Sequence, residues 1–210
     1  IRTTNIMTKD FTWSTEFNIS TNKNEVLAMG PDKDFEYTFR PGLGTHPYSW
    51  LKVGQPVGVF YGYIMDGIYH SREQIDAGNE PTASLGQKIY RDINGDGVVS
   101  IEDQTTIGDP NPDFFGGINN TFTYKGFTLN VYLDFALGHS ISNGYLQRQM
   151  CNFMNGNTSL PAEILKCWNV GDDPSKAKYA RFSGNDSDEL NKNFRDNSDV
   201  FTQKADYLCI

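Results

Sequence analysis

The stretch GGINNTFTYKGFTLNVYLDFAL, residues 116–137, decides the fold class. In its second half, Phe127–Leu137, apolar and polar side chains alternate, and this period of two predicts a β-strand with one apolar face. The apolar set is Phe127, Leu129, Val131, Leu133, Phe135 and Leu137. Residues 116–124 alternate in the same way, and Lys125 with Gly126 gives a short turn signal between the halves. The stretch is therefore predicted to be a β-hairpin.

A second alternating segment is FTWSTEFNIS, Phe11–Ser20. Its apolar side is broken only by Thr15 and consists of Phe11, Trp13, Phe17 and Ile19. The stretches KDFTWSTEFN, from Lys9, and KGFTLNVYLD, from Lys125, both place a tight turn before Phe-Thr and an alternating strand. We therefore expect one supersecondary unit to be reused along the chain.

The composition favours an all-β fold. Hydrophobic residues make up 38% of the 210 residues and aromatic residues 13%, with 20 glycines and a mean hydropathy of -0.52. Such a mixture is typical of strands in which apolar and polar residues alternate. The 18 basic residues against 26 acidic ones give a formal charge of -8, and no basic stripe is present. Nucleic acid is therefore not an expected partner.

The chain carries no recognisable targeting segment. No run approaches the roughly 18 apolar residues of a transmembrane helix. The N-terminal stretch IRTTNIMTKD lacks the charged and apolar regions of a signal peptide and begins with Ile1. We expect either a processed product or a piece of a longer polypeptide.

The segments between the alternating strands are long and irregular. Residues 22–50 are rich in Gly, Pro and charge, and GVFYGYIMDGIY, residues 58–69, is predicted to be one aromatic strand. Residues 162–168 are predicted to be helical, with Pro161 as a first-turn residue. Residues 171–203 are polar, poorly periodic and predicted to be loop.

Two β architectures fit these strands. A strand that crosses a bilayer needs ~9–11 residues, against ~5–6 in a soluble sandwich, and Phe127–Leu137 matches the longer class. Short turns at one end with long loops at the other are typical of an outer-membrane barrel. Trp13, Tyr124 and Phe127 would suit its interfacial aromatic girdles. A water-soluble β-sandwich has the same alternation, so the pattern alone leaves both open.

A calcium-like loop lies at DINGDGVVSIED, residues 92–103. Side-chain oxygens stand at positions 1, 3 and 5 of a 12-residue calcium loop, Gly97 stands at its sharp turn, and Val98 would ligate through its carbonyl. The predicted metal ligands are Asp92, Asn94, Asp96, Val98 and Asp103. The flanks do not predict two helices, so we expect a structural Ca²⁺ clip; the alternative is an Asx-rich turn without metal.

No catalytic motif is present, and the chain is not expected to be an enzyme. His46, His70 and His139 stand alone, and neighbouring carboxylates such as Asp172 and Asp173 would point different ways in a strand. Asp134 lies on the polar side of the second hairpin strand, where a solvated role is the default.

Three cysteines cannot all pair with one another. Cys151 and Cys167 could form a bridge in an oxidising compartment. The favoured interpretation is that these two and Cys209 are unpaired and partly buried thiols.

With these residues in view, the chain resembles the C-terminal part of the SusC/RagA family of TonB-dependent outer-membrane transporters. The motifs run in the family's order at residues 11–26, 53–75, from Asp92 through the hairpin, and in GHSISN at 138–143. The later stretches CWN, from Cys167, and ADYLCI, residues 205–210, resemble the family more weakly. Cys209 stands where the family usually has Arg.

This resemblance implies that residues 1–210 are a portion of a barrel of about 22 strands, truncated at both ends, in the bacterial outer membrane. The plug, the TonB box and the remaining strands would lie outside the sequence. The implied partners are a SusD-like lipoprotein, TonB, the lipid bilayer and an oligosaccharide or peptide substrate. The loop 92–103 would lie in an extracellular excursion, and no substrate-binding residue can be assigned.

Two functional hypotheses follow. The leading one is a segment of a transporter that imports oligosaccharides or other nutrients. The alternative is a soluble, calcium-braced β-sandwich module for glycan binding or adhesion, with Trp13, Trp50 and Trp168 as stacking residues.

Overall fold

The computed structural model describes residues 1–30, 34–35, 49–151, 160–182 and 197–210. Side chains are described for all of these except residues 34–35, 148–149 and 151. The strands, in chain order, are β1 Arg2–Met7, β2 Phe11–Ser20, β3 Asp34–Phe35, β4 Ser49–Lys52, β5 Val59–Gly62, β6 Met65–Ile68, β7 Lys88–Tyr90, β8 Thr105–Gly108, β9 Phe114–Tyr124, β10 Phe127–Leu137, β11 Ser140–Ser142, β12 Thr202–Lys204 and β13 Tyr207–Cys209. The helices are α1 Arg72–Asp76 and α2 Gly144–Cys151.

Antiparallel strands dominate the described residues, and the helices are short insertions, so the predicted all-β class is confirmed. The main sheet has the order β1-β2-β9-β10-β13. Two smaller pairs, β6-β7 and β11-β12, and a four-stranded sheet, β3-β4-β5-β8, lie in the excursions. No helix among the described residues is long and apolar enough to cross a membrane.

The hairpin β9-β10 forms in the predicted register. Tyr124 pairs with Phe127 at the turn, and Phe114 pairs with Leu137 at the other end. Lys125 and Gly126 both have positive φ, 45° and 88°, as a two-residue turn that matches strand twist requires. The glycine adopts this backbone without steric cost. Local turn chemistry and side-chain alternation therefore specify the same hairpin.

Two short turns lie at one end of the strands of the main sheet; this end is here called the near edge, and the opposite end of the strands the far edge. The β1-β2 turn is closed by the N–H of Thr8, which donates to the carbonyl of Phe11 at 2.8 Å. The N–H of Lys125, in the β9-β10 turn, donates to the carbonyl of Asp10 at 3.0 Å, so the two turns are neighbours. The long excursions leave from the opposite, far edge, as the sequence predicted.

The main sheet has one apolar face. Trp13 lies opposite Phe122 in the β2-β9 register, and the two rings stack with centroids 5.7 Å apart. This face is open: Phe127 is 82% exposed, Leu129 60% and Ile19 54%. In a soluble sandwich these side chains would be covered by a second sheet. Here they form an open, largely apolar surface.

The aromatic stretch 58–69 is two strands in different sheets, so the prediction of one strand was wrong. The chain leaves β5 at Gly62 because Tyr63 bonds elsewhere. The N–H of Tyr63 donates to the carbonyl of Asn197 at 2.9 Å, and its own carbonyl accepts from Asp199 at 3.1 Å. These partners are far away in sequence, so local periodicity did not indicate the break.

The region after β11 also departs from its predictions. Pro161 is the N-cap of a 3₁₀ turn, Ala162–Lys166, instead of a first-turn residue of a helix to residue 168. The turn ends there because the N–H of Trp168 bonds to the carbonyl of Tyr179 at 3.0 Å. Within the predicted loop, residues 171–182 and 197–203 are described. They contain the 3₁₀ turns Pro174–Lys176 and Asp199–Phe201 and the first two residues of β12, which the loop prediction missed.

The cysteine bridge considered above is absent. Cys167 is a free thiol and 5% exposed, and burial raises its pKa to about 12, so it stays protonated and unreactive. Cys209 is also free but exposed, so the expectation of partial burial was wrong for it. The side chain of Cys151 lies outside the described residues.

Candidate functional site

The polar face of the main sheet carries amide and hydroxyl groups. The hydroxyl of Thr121 donates to Oδ1 of Asn130 across β9 and β10 at 2.8 Å. The side chain of Tyr132 lies over Gly117, where an added Cβ would sit 2.9 Å from the phenolic oxygen. Asp134, opposite Gly117, is half-buried on this same face. The face is suited to contact with water.

The apolar face contains one polar network, whose members Thr15 and Asn120 interrupt the apolar alternation of β2 and β9. Asn120, opposite Thr15, accepts from the indole Nε1 of Trp13 at 3.0 Å and from the Thr15 hydroxyl at 2.7 Å. The amide of Asn5 donates to Thr15 Oγ1 at 2.6 Å, and Thr3 donates to Asn5 at 2.9 Å. Each polar group that interrupts the apolar face therefore has a neighbour within the sheet.

The calcium-like loop is folded around Asp92. Its two carboxylate oxygens accept from the N–H groups of Gly95 at 2.6 Å and Gly97 at 2.8 Å. Oδ2 also accepts from the amide of Asn79 at 3.1 Å. Gly97 has φ of 82°, the left-handed backbone expected at the sharp turn of such a loop. The side chain of Asp92, the predicted ligand at position 1, therefore points into the loop.

The next two predicted ligands form successive Asx turns. Oδ1 of Asn94 accepts from the N–H of Asp96 at 2.9 Å. Oδ1 of Asp96 accepts from the N–H of Val98 at 2.8 Å, and its Oδ2 accepts from the Asn94 amide at 3.1 Å. Asn94, Asp96 and Val98 all lie at the solvent-exposed tip of the loop.

Asp103 is the most buried member of the set, with 0% exposure. Its Oδ2 accepts from the N–H of Ser100 at 2.7 Å in a capping box, and its Oδ1 accepts from Ile93 at 2.8 Å and Asn94 at 3.4 Å. These backbone N–H groups, Ser100 first, hold the pKa of Asp103 below its usual value, with a smaller contribution from the Asp92 side chain. Asp103 thus bonds to the two residues that follow Asp92, which ties the last predicted ligand position to the start of the loop.

The loop offers oxygen donors, the type that Ca²⁺ prefers. It has no long flanking helices: β7 precedes it, its last three residues form the 3₁₀ turn Ile101–Asp103, and β8 follows. Among the described residues, no group of three or more His, Cys, Asp or Glu side chains converges on a metal position. Any Ca²⁺ here would need the Asn94 amide, the Val98 carbonyl or water to complete its coordination.

The other residues singled out from the sequence are not brought together. His46 lies outside the described residues; Nδ1 of His70 is 3.2 Å from the Ile68 carbonyl, and His139 packs edge-on against Tyr207. Trp168 is 3% exposed, so the proposal that it stacks on a glycan was wrong.

Sequence reasoning missed Lys88. This lysine is 1% exposed, its Nζ lies 3.2 Å from the Ser198 hydroxyl, and it sits over the rings of Tyr90 and Phe201 at 5.7 and 5.6 Å. It joins the 197–201 segment to β7. Lys88 is a charged residue in a strand of three residues, and nothing in the sequence indicated that its side chain is buried.

Comparison with known proteins identifies the class. The chain is 34% identical over 177 residues to TonB-dependent receptor P3 of Formosa agariphila, an alignment covering 80% of this chain and 17% of the receptor. It is 33% identical over 169 residues to receptor P26 of the same organism, with the same coverage of both chains. No protein-family profile matches the chain. The chain is thus a relative of TonB-dependent receptors and spans about a sixth of their length.

The relationship extends to SusC itself. TonB-dependent receptor SusC of Bacteroides thetaiotaomicron is 28% identical over 175 residues, 80% of this chain and 17% of SusC. The solved structure of the RagAB peptide transporter matches 99% of this chain and 20% of its own with a TM-score of 0.61 at 16% identity, and so shares its fold. The chain belongs to the SusC/RagA family, as its motifs indicated.

Proposed function

We propose that this chain is part of the wall of a TonB-dependent outer-membrane transporter, which imports oligosaccharides or other nutrients. The observation that carries the proposal is the main sheet, with an exposed, largely apolar face on one side and amides and hydroxyls on the other. A barrel wall needs both faces, because one contacts lipid and the other lines the lumen.

The strand dimensions support the same proposal. β2 has 10 residues, and β9 and β10 have 11 each, the ~9–11 that a tilted strand needs to cross a bilayer. The near edge, with its two short turns, would face the periplasm. The far edge, from which the excursions leave, would face outward, with the loop 92–103 on the outer side.

The partners are part of this proposal. A SusD-like lipoprotein would cover the outer side, and TonB would act through regions beyond this sequence. The relationship to SusC and the fold shared with the RagAB transporter support this arrangement. An oligosaccharide is the proposed substrate class, and no residue described above is assigned to it. We propose no enzymatic role.

Deletion of the gene tests the transport proposal. Cells that lack the full-length protein should lose growth on one or more oligosaccharides while retaining growth on the component monosaccharides. Restoring the gene should restore growth. Unchanged growth and uptake on every oligosaccharide and peptide source that the wild type uses would contradict the proposal.

We also propose that the loop 92–103 binds Ca²⁺ as a structural brace. The carboxylates of Asp92 and Asp103 carry this proposal: both are held by backbone N–H groups of residues 93–97, and two negative groups in one short loop with oxygen donors around them favour a hard divalent cation. Calcium would add rigidity to a loop that its own hydrogen bonds already shape.

Tryptic cleavage after Arg91 tests the calcium proposal. Arg91 precedes the loop and forms a bidentate pair with Asp66. In the full-length protein, Ca²⁺ should slow cleavage there several-fold relative to EDTA, and Asp96→Ala should abolish the difference. Lys9, in the near-edge turn, gives the control site, whose cleavage should not depend on Ca²⁺. Equal cleavage at Arg91 with Ca²⁺ and with EDTA would contradict a bound ion.

A further inference from the structure

A pocket of about 360 Å³ opens at the far edge of the main sheet, here called the rim pocket. It lies between the segment that leaves β2 and the segment DPNPDF that enters β9. Its lining residues are Thr21, Asn22, Lys23, Asn24, Pro56, Asp109, Asn111, Asp113 and Phe114. The volume falls within the ~300–1,000 Å³ typical of small-molecule sites.

Hydrogen bonds hold two sides of the rim pocket in place. Oδ1 of Asn24 accepts from the N–H of Val57 at 2.7 Å, and the amide of Asn111 donates to the Val57 carbonyl at 3.0 Å. Oδ1 of Asp109 accepts from the N–H and the amide of Asn111 at 2.8 and 2.7 Å. The pocket is therefore preformed, which lowers the entropy lost when a ligand binds.

The remaining wall is fixed by the main sheet. The N–H of Asp113 donates to the carbonyl of Leu137 at 2.9 Å, which extends the β9-β10 hairpin by one residue. Phe114 is 49% exposed beside it. The carboxylate of Asp113 packs over Gly138, which has φ of 84° and no side chain in the way.

The charges of the rim pocket select against simple ions. Lys23 and Asp113 are both exposed, and neither takes part in an ion pair within the described part of the chain. The lysine ammonium disfavours a bound cation, and the carboxylates of Asp109 and Asp113 disfavour a bound anion. A neutral ligand with both donors and acceptors meets neither penalty.

The apolar part of the lining narrows the class of ligand that the rim pocket would bind. Phe114 and Pro56 contribute apolar side chains to the lining, and Asn22 and Asn24 contribute amide groups. A sugar ring has the same combination, with an apolar C–H face and a rim of hydroxyl groups. Sites that orient small ligands typically combine apolar surface with a few placed polar groups.

We propose that the rim pocket binds a neutral, hydroxyl-rich ligand of the sugar-ring type. The carboxylate of Asp113 accepts from a ligand hydroxyl, the ammonium of Lys23 donates to another, and Phe114 packs against the C–H face. This inference goes beyond the transport proposal, because it concerns a surface site at the rim and holds whatever the whole protein imports.

Protection of an introduced cysteine tests the site locally. Thr21→Cys lines the pocket, and Thr12→Cys, near the other end of β2, is the matched control; both are made in full-length protein carrying Cys209→Ser. The rate of maleimide labelling at each position is read by mass spectrometry. Methyl glycosides of glucose, galactose, mannose and xylose are the neutral probes, with phosphate and putrescine as ionic probes.

At least one glycoside should slow labelling at Thr21→Cys five-fold or more and leave Thr12→Cys unchanged, while the ionic probes have no effect. Asp113→Asn and Lys23→Gln should each raise the glycoside concentration needed about ten-fold, whereas Lys9→Gln, an exposed lysine at the near edge, should not. Protection by phosphate or putrescine alone, or by no glycoside, would overturn the inference. If a glycoside protects Thr21→Cys but deletion of the gene leaves growth on oligosaccharides unchanged, only the transport proposal is contradicted. If deletion abolishes that growth but no glycoside protects Thr21→Cys, only the rim-pocket inference is contradicted.

Discussion

At the residue scale, Asp103 shows how one buried carboxylate can organise a loop. It accepts from three backbone N–H groups, of Ser100, Ile93 and Asn94, while itself 0% exposed. Without these bonds the carboxylate would be buried without partners, which costs free energy. The position therefore tolerates neither loss of the acceptor nor loss of its charge.

Asp103→Asn should loosen the loop by about 1–3 kcal/mol, because the charged acceptor is lost and an amide N–H₂ faces backbone donors. Hydrogen exchange at the amides of Ile93, Asn94 and Ser100 in full-length protein measures this. Since folding lowers the pKa of Asp103 below 3.8, its stabilisation is present above that value and is lost as pH falls through the folded pKa. In the wild-type protein, the protection of these amides from exchange should therefore decline as the pH falls through the folded pKa of Asp103.

The Asn variant supplies the control for this pH effect. Its amide exchange should already be fast at neutral pH and should show a smaller further loss on acidification. Equal protection in the variant and the wild type at neutral pH would mean that Asp103 does not hold the loop.

At the scale of the element, substitutions in β10 distinguish a membrane barrel from a soluble module. Val131 lies on the apolar face and Asn130, its neighbour, on the polar face. Val131→Arg would place a charge against lipid, at a cost of ~2–4 kcal/mol near the bilayer midplane. We expect it to lower the amount of full-length protein in the outer membrane strongly, and Val131→Leu to leave that amount near wild type.

Asn130→Arg is the matched variant on the polar face of the same strand. It should assemble at close to the wild-type level, because that face meets water in the proposed lumen. Equal loss in both arginine variants would contradict the assignment of faces. In a soluble core, Val131→Leu would itself be destabilising through overpacking.

Elements whose bonds are local could be predicted from the sequence. The hairpin β9-β10 and strand β2 follow from alternation and from the turn at Lys125 and Gly126. The break after Gly62 could not be predicted, because it depends on bonds from Tyr63 to Asn197 and Asp199. Such partners are set by the tertiary fold, which local patterns do not encode.

The same reasoning applies to the two candidate sites. The loop 92–103 could be recognised because its oxygens stand at a fixed spacing within one short segment. The rim pocket could not, because its walls, residues 21–24 and 109–114, meet only through the register in which Ser20 pairs with Phe115. The polar network on the apolar face left two signs, the interruptions of the alternation at Thr15 and Asn120, but their pairing depends on the β2-β9 register.

At the scale of the whole molecule, the open sheet fits a segment of a larger barrel wall. β1 and β13 are the outermost strands of the described sheet, and exposed strand edges readily pair with another chain. In a closed barrel both edges would be paired, and the apolar face would be covered by lipid. The proposed transporter satisfies both requirements.

The most direct test of this account is to find where these residues reside in the source cells. An antibody raised against the chain would be applied to fractionated cells, and the compartment and apparent mass of its target recorded. We predict a band far above 23.6 kDa in the outer-membrane fraction. A band at 23.6 kDa in a soluble fraction would contradict the barrel-wall account and favour the calcium-braced binding module.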